Sequence, residues 1–442
     1  MKPSTEIPRP AGSLLTHSLR FVKNTMQFYE DAYRECGDVF ATRIPGLGSW
    51  VYVCSPELVQ DMLRAPHTVL AGGDMEGFSI SHVTGRGATS HFDGPVHQER
   101  RAVLEPSLNA PASLCHVDDV RRITERRIAE WPLGQPFPLV LTLQKIALEA
   151  LITVFFRGTD PERVRQLADL YEDFSFKGLR SPTVSHPFLQ IDFGPLSPWN
   201  RVKKRQRATL QAFTEEIENR LARTAGPAHP PEPDDFVLHM ARARLANGGG
   251  LAREVILAEI LDLLFQGHEM TGNSMTWTLG ELLAHPPVLA RLRQELSAHL
   301  ADLPYLEAVV WEGLRRRPTN LATSVRRVKE EFPLGGYLLP VGTMVAVCYP
   351  ALSVREDLFP NPKSFEPERF FGKPLPAGWS PFGDGPHACT GRDLAMVVMK
   401  VALATIVQKA ELQLAQDEVR PVRNAYYYEP NKGLLVTLEK RR

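Results

Sequence analysis

The spacing of hydrophobic and polar positions changes three times along the chain. Asp38 to Ile44 and Ser49 to Cys54 are short runs of β-branched and aromatic residues around a Pro- and Gly-containing turn, which predicts a β-hairpin. Beyond them the apolar positions recur at helical spacing for most of the chain. Short apolar runs with turn residues return from Thr323 to Val347 and from Leu412 to Leu438. The pattern predicts a mainly α fold with small β-sheets, an α+β arrangement.

The longest predicted helix runs from about Arg253 to Ala284. Such a helix would extend roughly 48 Å at about 1.5 Å per residue, so we expect it to cross the core. The predicted β segments are far apart in sequence and interleaved with helices. This interleaving favours one domain over residues 1–442.

Composition narrows the class of protein. The 442 residues include 51 Lys and Arg against 51 Asp and Glu, which gives a net charge of zero. The overall charge therefore does not favour nucleic acid or an anionic membrane as a partner. Five scattered cysteines without a CxxC pair indicate neither a disulfide framework nor a structural zinc site. No run approaches the 18 or so apolar residues of a membrane span, and the amino terminus does not look like a signal peptide. We expect a soluble cytoplasmic protein without a membrane anchor.

The sharpest local signal is the glycine-rich run from Ser380 to Gly391, which leads into an apolar helix. Tight turns there allow backbone N–H groups to point at the sulfur of Cys389. The positive end of the following helix also favours a thiolate over a thiol. A buried inert cysteine beside a glycine turn is the alternative. The three glycines and the helix together favour a metal-bound sulfur.

This run resembles the haem-binding signature FGxGxxxCxG of the cytochrome P450 family, the haem-thiolate monooxygenases. The signature is complete in five positions: Phe382, Gly383, Gly385, Cys389 and Gly391. The resemblance extends from about residue 21 to the carboxyl terminus. It implies the cytochrome P450 fold, a long central helix over the haem, and one haem b with Cys389 as the iron ligand.

Two further motifs precede the cysteine in the order that the family has. The ExxR motif is present as Glu312 and Arg315, whose spacing puts both charges on one helix face. Arg369 lies in a PERF-type segment, Phe365 to Phe370. The resemblance implies that Arg369 joins the pair in a charge network beneath the haem loop.

The HxxxR motif supplies candidate ligands for the haem propionates. His97 and Arg101 are one helical turn apart and can reach one anion together. An exposed basic helix face is the alternative interpretation. The resemblance assigns propionate contacts to these two residues, to His387, and to an Arg at the start of a strand. That Arg is Arg326, with Arg327 as an alternative one residue away.

The middle of the long helix departs from the family pattern. Gly267 and the acid Glu269 match, but Gln266 replaces a small residue and Met270 replaces the first Thr, leaving only Thr271. Methionine cannot donate a hydrogen bond to oxygen. Thr271 lies about 100° around the helix from Met270, so it substitutes only if the helix is deformed. Gln266 shares the face of Met270 and is the candidate donor, unless its amide bonds a neighbouring carbonyl.

Substrate contacts are implied by the resemblance at four segments: Met75 to Ile80, Phe174 to Trp199, Leu321 to Thr323, and Tyr426 to Tyr428. Their apolar and aromatic content favours a lipophilic substrate, such as a terpenoid, polyketide or fatty acyl compound of secondary metabolism.

No flavin or nucleotide-binding segment is apparent. We therefore expect electrons from a ferredoxin or flavodoxin with its reductase, delivered to a cytosolic monomer. A basic docking patch is predicted at four positions: Arg100, Lys363, Arg392 and Lys400. The predicted activity is hydroxylation or epoxidation with O2. Peroxide-driven or non-oxygenase chemistry, or ligand binding alone, is the alternative because of Met270.

Overall fold

The chain folds mainly into α-helices, with its strands gathered into small sheets. The computed structural model describes residues 1–44, 48–73, 87–179, 190–192, 194, 197–224, 235–298, 303–319, 323–424 and 427–442. The helices are Leu14–Lys23, Thr25–Cys36, Pro56–Arg64, Gly94–Leu104, Ala110–Leu114, Val117–Glu130, Leu139–Phe155, Pro161–Phe174, Pro198–Thr224, Phe236–Arg242, Arg253–Ala284, Pro286–Ser297, Pro304–Arg316, Tyr349–Leu352 and Arg392–Lys409, with a π-helical turn at Ser175–Leu179. The mainly α fold class is confirmed.

The strands are β1 (Lys2–Pro3), β2 (Val39–Ile44), β3 (Gly48–Val53), β4 (Leu70–Ala71), β5 (Pro136–Pro138), β6 (Thr323–Val328), β7 (Phe332–Leu334), β8 (Tyr337–Leu339), β9 (Met344–Val347), β10 (Ala410–Leu414), β11 (Pro421–Asn424), β12 (Tyr427–Pro430) and β13 (Leu435–Arg441). The largest sheet has the order β2-β3-β9-β6-β4. The predicted hairpin forms as the antiparallel β2–β3 pair, and β3 pairs in parallel with β9 from the other end of the chain. The expected interleaving of distant segments is therefore observed.

The central helix, Arg253–Ala284, has the bounds predicted from its apolar spacing. Two glycine contacts bring neighbouring helices unusually close to each other. An added Cβ at Gly272 would lie 2.6 Å from the Cα of Gln144, on the helix Leu139–Phe155. An added Cβ at Gly313, on the helix Pro304–Arg316, would overlap the Thr278 hydroxyl. Only a residue without a side chain allows these helices to pack at such distances.

A continuous cluster of buried apolar side chains runs from Ile7 near one end of the sequence to Leu438 near the other. A second cluster, rich in aromatic side chains such as Tyr29 and Tyr52, packs beneath the largest sheet. Within the described ranges, no helix has both the length and the hydropathy needed to cross a bilayer.

Candidate active site

The loop around Cys389 is a tight backbone turn held by hydrogen bonds. The Cys389 N–H donates to the carbonyl of Phe382 at 2.7 Å. Gly383 and Gly385 adopt φ values of +73° and +68°, which other residues rarely take. Gly391 has an ordinary φ of −91° and begins the helix Arg392–Lys409. Backbone conformation therefore requires glycine at two of the three predicted positions but not at Gly391.

Cys389 is exposed to solvent on one side, and protein surrounds its thiol on the others. Burial raises the pKa of this thiol. The N–H of Gly391 and the guanidinium groups of Arg101 and Arg392 act in the opposite direction. Coordination to a metal cation deprotonates a thiol in such a setting.

Two histidines from the HxxxR helix and the cysteine loop meet beside this thiol. The rings of His97 and His387 stack with centroids 4.1 Å apart. Nε2 of His387 lies 2.8 Å from Oδ1 of Asp93. Burial disfavours the ionised form of Asp93, but hydrogen bonds from His387 and two backbone N–H groups outweigh it and lower the carboxyl pKa. Burial, with the nearby His387 and Arg101, lowers the pKa of His97 to about 4.

Arg101 ties its own helix to the cysteine loop. Its Nη1 donates to the carbonyl oxygens of Pro386 and Ala388 at 2.9 Å and 2.6 Å. The alternative of an exposed basic helix face is not observed. His97 is 4% exposed, and Arg101 is hydrogen-bonded to the cysteine loop.

Arg326 is a buried cation with an unused donor. The residue is 5% exposed, and its Nη2 is buried without a hydrogen-bond partner in the described structure. Burial lowers the pKa of Arg326 to about 10, while the charge of Asp93 opposes this effect. The field of Arg326 also reaches His97. Arg327 is less buried than Arg326 and pairs with Ala71 of β4. Arg326 is therefore the member of the pair that joins this cluster.

This cluster fits the carboxylates of a haem. A buried guanidinium with an unpaired N–H needs a hydrogen-bond acceptor, and a carboxylate would also offset its buried charge; His97 and His387 lie in the same cluster. The cluster adjoins the Cys389 loop through Arg101 and His387. The donor set therefore matches a planar cofactor with a thiolate-bound metal and two carboxylates.

Glu312 and Arg315 form a fully buried ion pair, 0% exposed on both sides. Arg315 uses Nε and Nη2 to bind both carboxylate oxygens of Glu312 at 2.7 Å. Its remaining N–H groups donate to three backbone carbonyl oxygens: those of Ser353, Pro362 and Ser364. Arg369 approaches Glu312 at 3.4 Å, as the resemblance implied. Complete satisfaction of the Arg315 donors makes this network a fixed support.

The central helix carries the distal residues without any interruption of its α-helical hydrogen bonding. Thr271 therefore keeps its ordinary position and lies one turn beyond Gly267, where an added Cβ would contact Leu151. Thr271 thus belongs to the side that packs on the helix Leu139–Phe155. The helix deformation that would bring it to the face of Met270 does not occur.

Gln266 is exposed on a helix whose following turns are buried. Its Nε2 donates to Oδ2 of Asp262 at 2.7 Å, so the amide bonds a carboxylate and not a backbone carbonyl. Burial raises the pKa of Asp262. Ser90 also donates to Oδ2 of Asp262, at 2.8 Å.

Glu269 lies against the π-helical turn, where it accepts a hydrogen bond from Ser175 Oγ at 3.1 Å. His268 Nε2 is 3.7 Å from the same carboxylate. A cavity of about 10 Å³ adjoins Ser175, His268 and Glu269 and reaches toward the partly exposed Lys145–Glu172 ion pair. A cavity of that size accommodates about one water molecule.

The implied substrate segments fall largely outside the described residues. Met75 to Ile80, residues 180–189, Leu321, Ala322 and Tyr426 are not described. Of the remainder, Tyr427 and Tyr428 are buried and Tyr427 approaches the carbonyl of Phe265 at 3.4 Å.

Three carboxylates at this site escaped the sequence interpretation: Asp93, Glu259 and Asp262. Asp93 directly precedes the helix that carries the HxxxR motif. Glu259, Asp262 and Gln266 occupy one face of the amino-terminal half of the central helix, and that spacing was the available signal.

Comparison with known proteins gives a consistent picture. The cytochrome P450 family model matches residues 8–436. The chain is 26% identical to putative cytochrome P450 135B1 of Mycobacterium tuberculosis over 98% of this chain and 91% of that protein. It is 29% identical to putative cytochrome P450 138 of the same organism over 92% of this chain and 90% of that protein.

Solved structures share the fold. The retinoic acid-bound cyanobacterial CYP120A1 superposes with a TM-score of 0.82 at 21% identity, covering 98% of this chain and 99% of that one. The haem domain of cytochrome P450DA gives a TM-score of 0.81 at 19% identity, covering 99% and 98%.

Proposed function

Because this chain belongs to the cytochrome P450 family and is a haem-thiolate monooxygenase, we propose that it inserts an oxygen atom from O2 into a lipophilic small molecule at a haem b bound through Cys389. The supporting observation is the buried, unpaired Nη2 of Arg326, which adjoins His97 and His387 beside the cysteine loop.

Each motif position has a distinct task in this proposal. Cys389 supplies the thiolate ligand, and its loop glycines Gly383 and Gly385 maintain the turn that presents the sulfur. Arg326 and Arg101 would offset the charge of the propionates, and His97 and His387 would donate hydrogen bonds to them, with His387 oriented by Asp93 through Nε2. When bound, the haem supplies the activation of dioxygen.

The protein residues above the cofactor control hydrogen bonding and protons. Gln266 presents its amide where the family has a small residue, on the face that it shares with Met270. Glu269 holds a proton-exchanging carboxylate beside a water-sized cavity, with Ser175 as its hydrogen-bond donor. Met270 contributes bulk but no donor.

The substrate and the electron partner are further parts of the proposal. We propose a lipophilic substrate of secondary metabolism, a cytoplasmic single-domain monomer, and a ferredoxin or flavodoxin with its reductase as the electron source. Lys363 and Arg392 are exposed and remain candidates for the docking patch. Arg100 and Lys400 are half-buried, and Lys400 is also paired with Glu307 at 2.8 Å. The docking patch is therefore proposed around Lys363 and Arg392 alone.

The test is turnover of the purified protein with a surrogate ferredoxin, its reductase and a panel of terpenoid, polyketide and fatty acyl compounds under ¹⁸O-labelled O2. One labelled oxygen atom in the product supports the proposal. Activity only with hydrogen peroxide, or tight binding without product, would contradict it. Turnover should decrease with added salt when the ferredoxin limits the rate, because charge steering is screened.

A further inference from the structure

A polar pair lies inside the central helix, where the family motif provides no role for it. Asp262 is 8% exposed, and its Oδ2 accepts hydrogen bonds from Gln266 Nε2 at 2.7 Å and from Ser90 Oγ at 2.8 Å. Hydrogen bonds to an ionised acceptor are roughly twice as strong as neutral ones. Asp262 therefore holds the Gln266 amide in one orientation.

The orientation of the amide follows from the acceptor it meets. A carboxylate accepts only, so the amide nitrogen of Gln266 must face Asp262 and its Oε1 must face away. Within the part of the chain that is described, the amide makes no second hydrogen bond, and the side chain is exposed. One N–H of Gln266 and its Oε1 consequently have no protein partner among the described residues.

The same helix face is tied to the cofactor-binding loop by one short segment. Glu259 accepts from the N–H and Oγ1 of Thr89 at 2.8 Å and 2.6 Å, next to the Ser90–Asp262 bond. A few residues further along this segment, Asp93 contacts His387 in the loop that carries the cysteine. The same stretch of chain therefore contacts both the helix that carries the Gln266 amide and the loop that carries the Cys389 thiol.

We propose that Asp262 is a positioning residue for Gln266, and that this carboxylate–amide pair supplies the distal hydrogen-bond donor that Met270 cannot. The inference rests on the proposed function, since it requires haem between the central helix and Cys389. Burial raises the pKa of Asp262, while the hydrogen bonds from Ser90 and Gln266 and the nearby His91 oppose this effect and favour the carboxylate. His91 Nε2 lies 3.9 Å from the other oxygen, Oδ1.

The test uses the infrared C–O stretch of the ferrous carbon monoxide complex, which a nearby donor lowers in frequency. Gln266→Ala should raise this frequency. Asp262→Asn should also raise the frequency or broaden the band. The double variant should show no further change, because the two residues act as one unit. Glu215→Gln is the matched control: it changes a similar carboxylate–amide pair, Glu215 with Gln211 at 2.9 Å on the helix Pro198–Thr224, and should keep the wild-type band.

Coupling gives an independent measurement. Asp262→Asn should lower product formed per reduced cofactor on the order of tenfold, with hydrogen peroxide formed instead. Gln266→Glu is a second variant, in which Asp262 is intact. Because the two carboxylates would repel each other, this variant should show the same infrared band as Asp262→Asn.

A wild-type band in Asp262→Asn, or in Gln266→Ala, would overturn the inference. Failure of the proposed function would look different, because the wild-type protein itself would then form no ¹⁸O-labelled product, whatever its infrared band.

Discussion

Glu259 makes folding stability depend on pH in a direction opposite to that of most carboxylates. Burial raises its pKa from 4.5 to about 7. The folded protein therefore holds a proton that the unfolded chain releases above about pH 4.5. This contribution is complete at low pH and is lost as the pH rises through about 7. At about 1.4 kcal/mol per pKa unit, the loss amounts to roughly 3 kcal/mol.

Glu259→Gln removes this titration while keeping an oxygen that accepts the hydrogen bonds from Thr89. We expect the variant to gain stability relative to wild type as the pH rises from about 5 to about 8, by up to roughly 3 kcal/mol. Urea unfolding of the haem-loaded protein, followed by far-ultraviolet circular dichroism across that range, measures the difference. Glu254→Gln, at an exposed position in the first turn of the same helix, should differ from wild type by a constant amount. A constant difference for Glu259→Gln, or one that grows toward low pH, would refute the reasoning.

Three other substitutions test separate parts of the site. Cys389→His should abolish the red-shifted absorption of the ferrous carbon monoxide complex, whereas Cys115→Ala, at an exposed cysteine, should retain it; loss in both would contradict the ligand assignment. Arg315→Lys cannot reproduce the bidentate pair and should cost about 3–5 kcal/mol in urea unfolding, so a change below about 1 kcal/mol would argue against a supporting role. Arg326→Leu should speed haem transfer to excess apomyoglobin tenfold or more, since a charge-assisted hydrogen bond is worth about 1.5–3 kcal/mol; an unchanged rate would exclude a propionate contact.

Local features of the sequence predicted much of this site because short-range geometry determines them. The i, i+3 spacing of Glu312 and Arg315 places them on one helix face wherever that helix lies, and the structure pairs them at 2.7 Å. The apolar spacing gave both ends of the central helix. Turn chemistry likewise indicated glycine at positions 383 and 385, where φ is positive.

Contacts between distant segments were beyond such reasoning. Ser90 and Asp262 are 172 residues apart, so no local sequence pattern predicts their hydrogen bond. Arg326 and Arg327 differ by one step of strand register, which the pairing with β9 and β4 determines and sequence spacing does not. The bond from Gln266 to Asp262 spans one turn, yet only the packed structure shows which partner the amide takes.

The glycine contact at Gly313 has a consequence for the room available to the cofactor. The helix Pro304–Arg316 touches the central helix at this position, and Trp311 on the same helix packs edge-on against Phe382 of the cysteine loop, with centroids 5.8 Å apart. The placement of the cysteine loop relative to the central helix thus depends on a helix crossing remote from both Cys389 and Gln266. A single methyl group at residue 313 would press on Thr278, push the helix that carries Trp311 away from the central helix, and so displace the cysteine loop without changing any residue that would hold the haem.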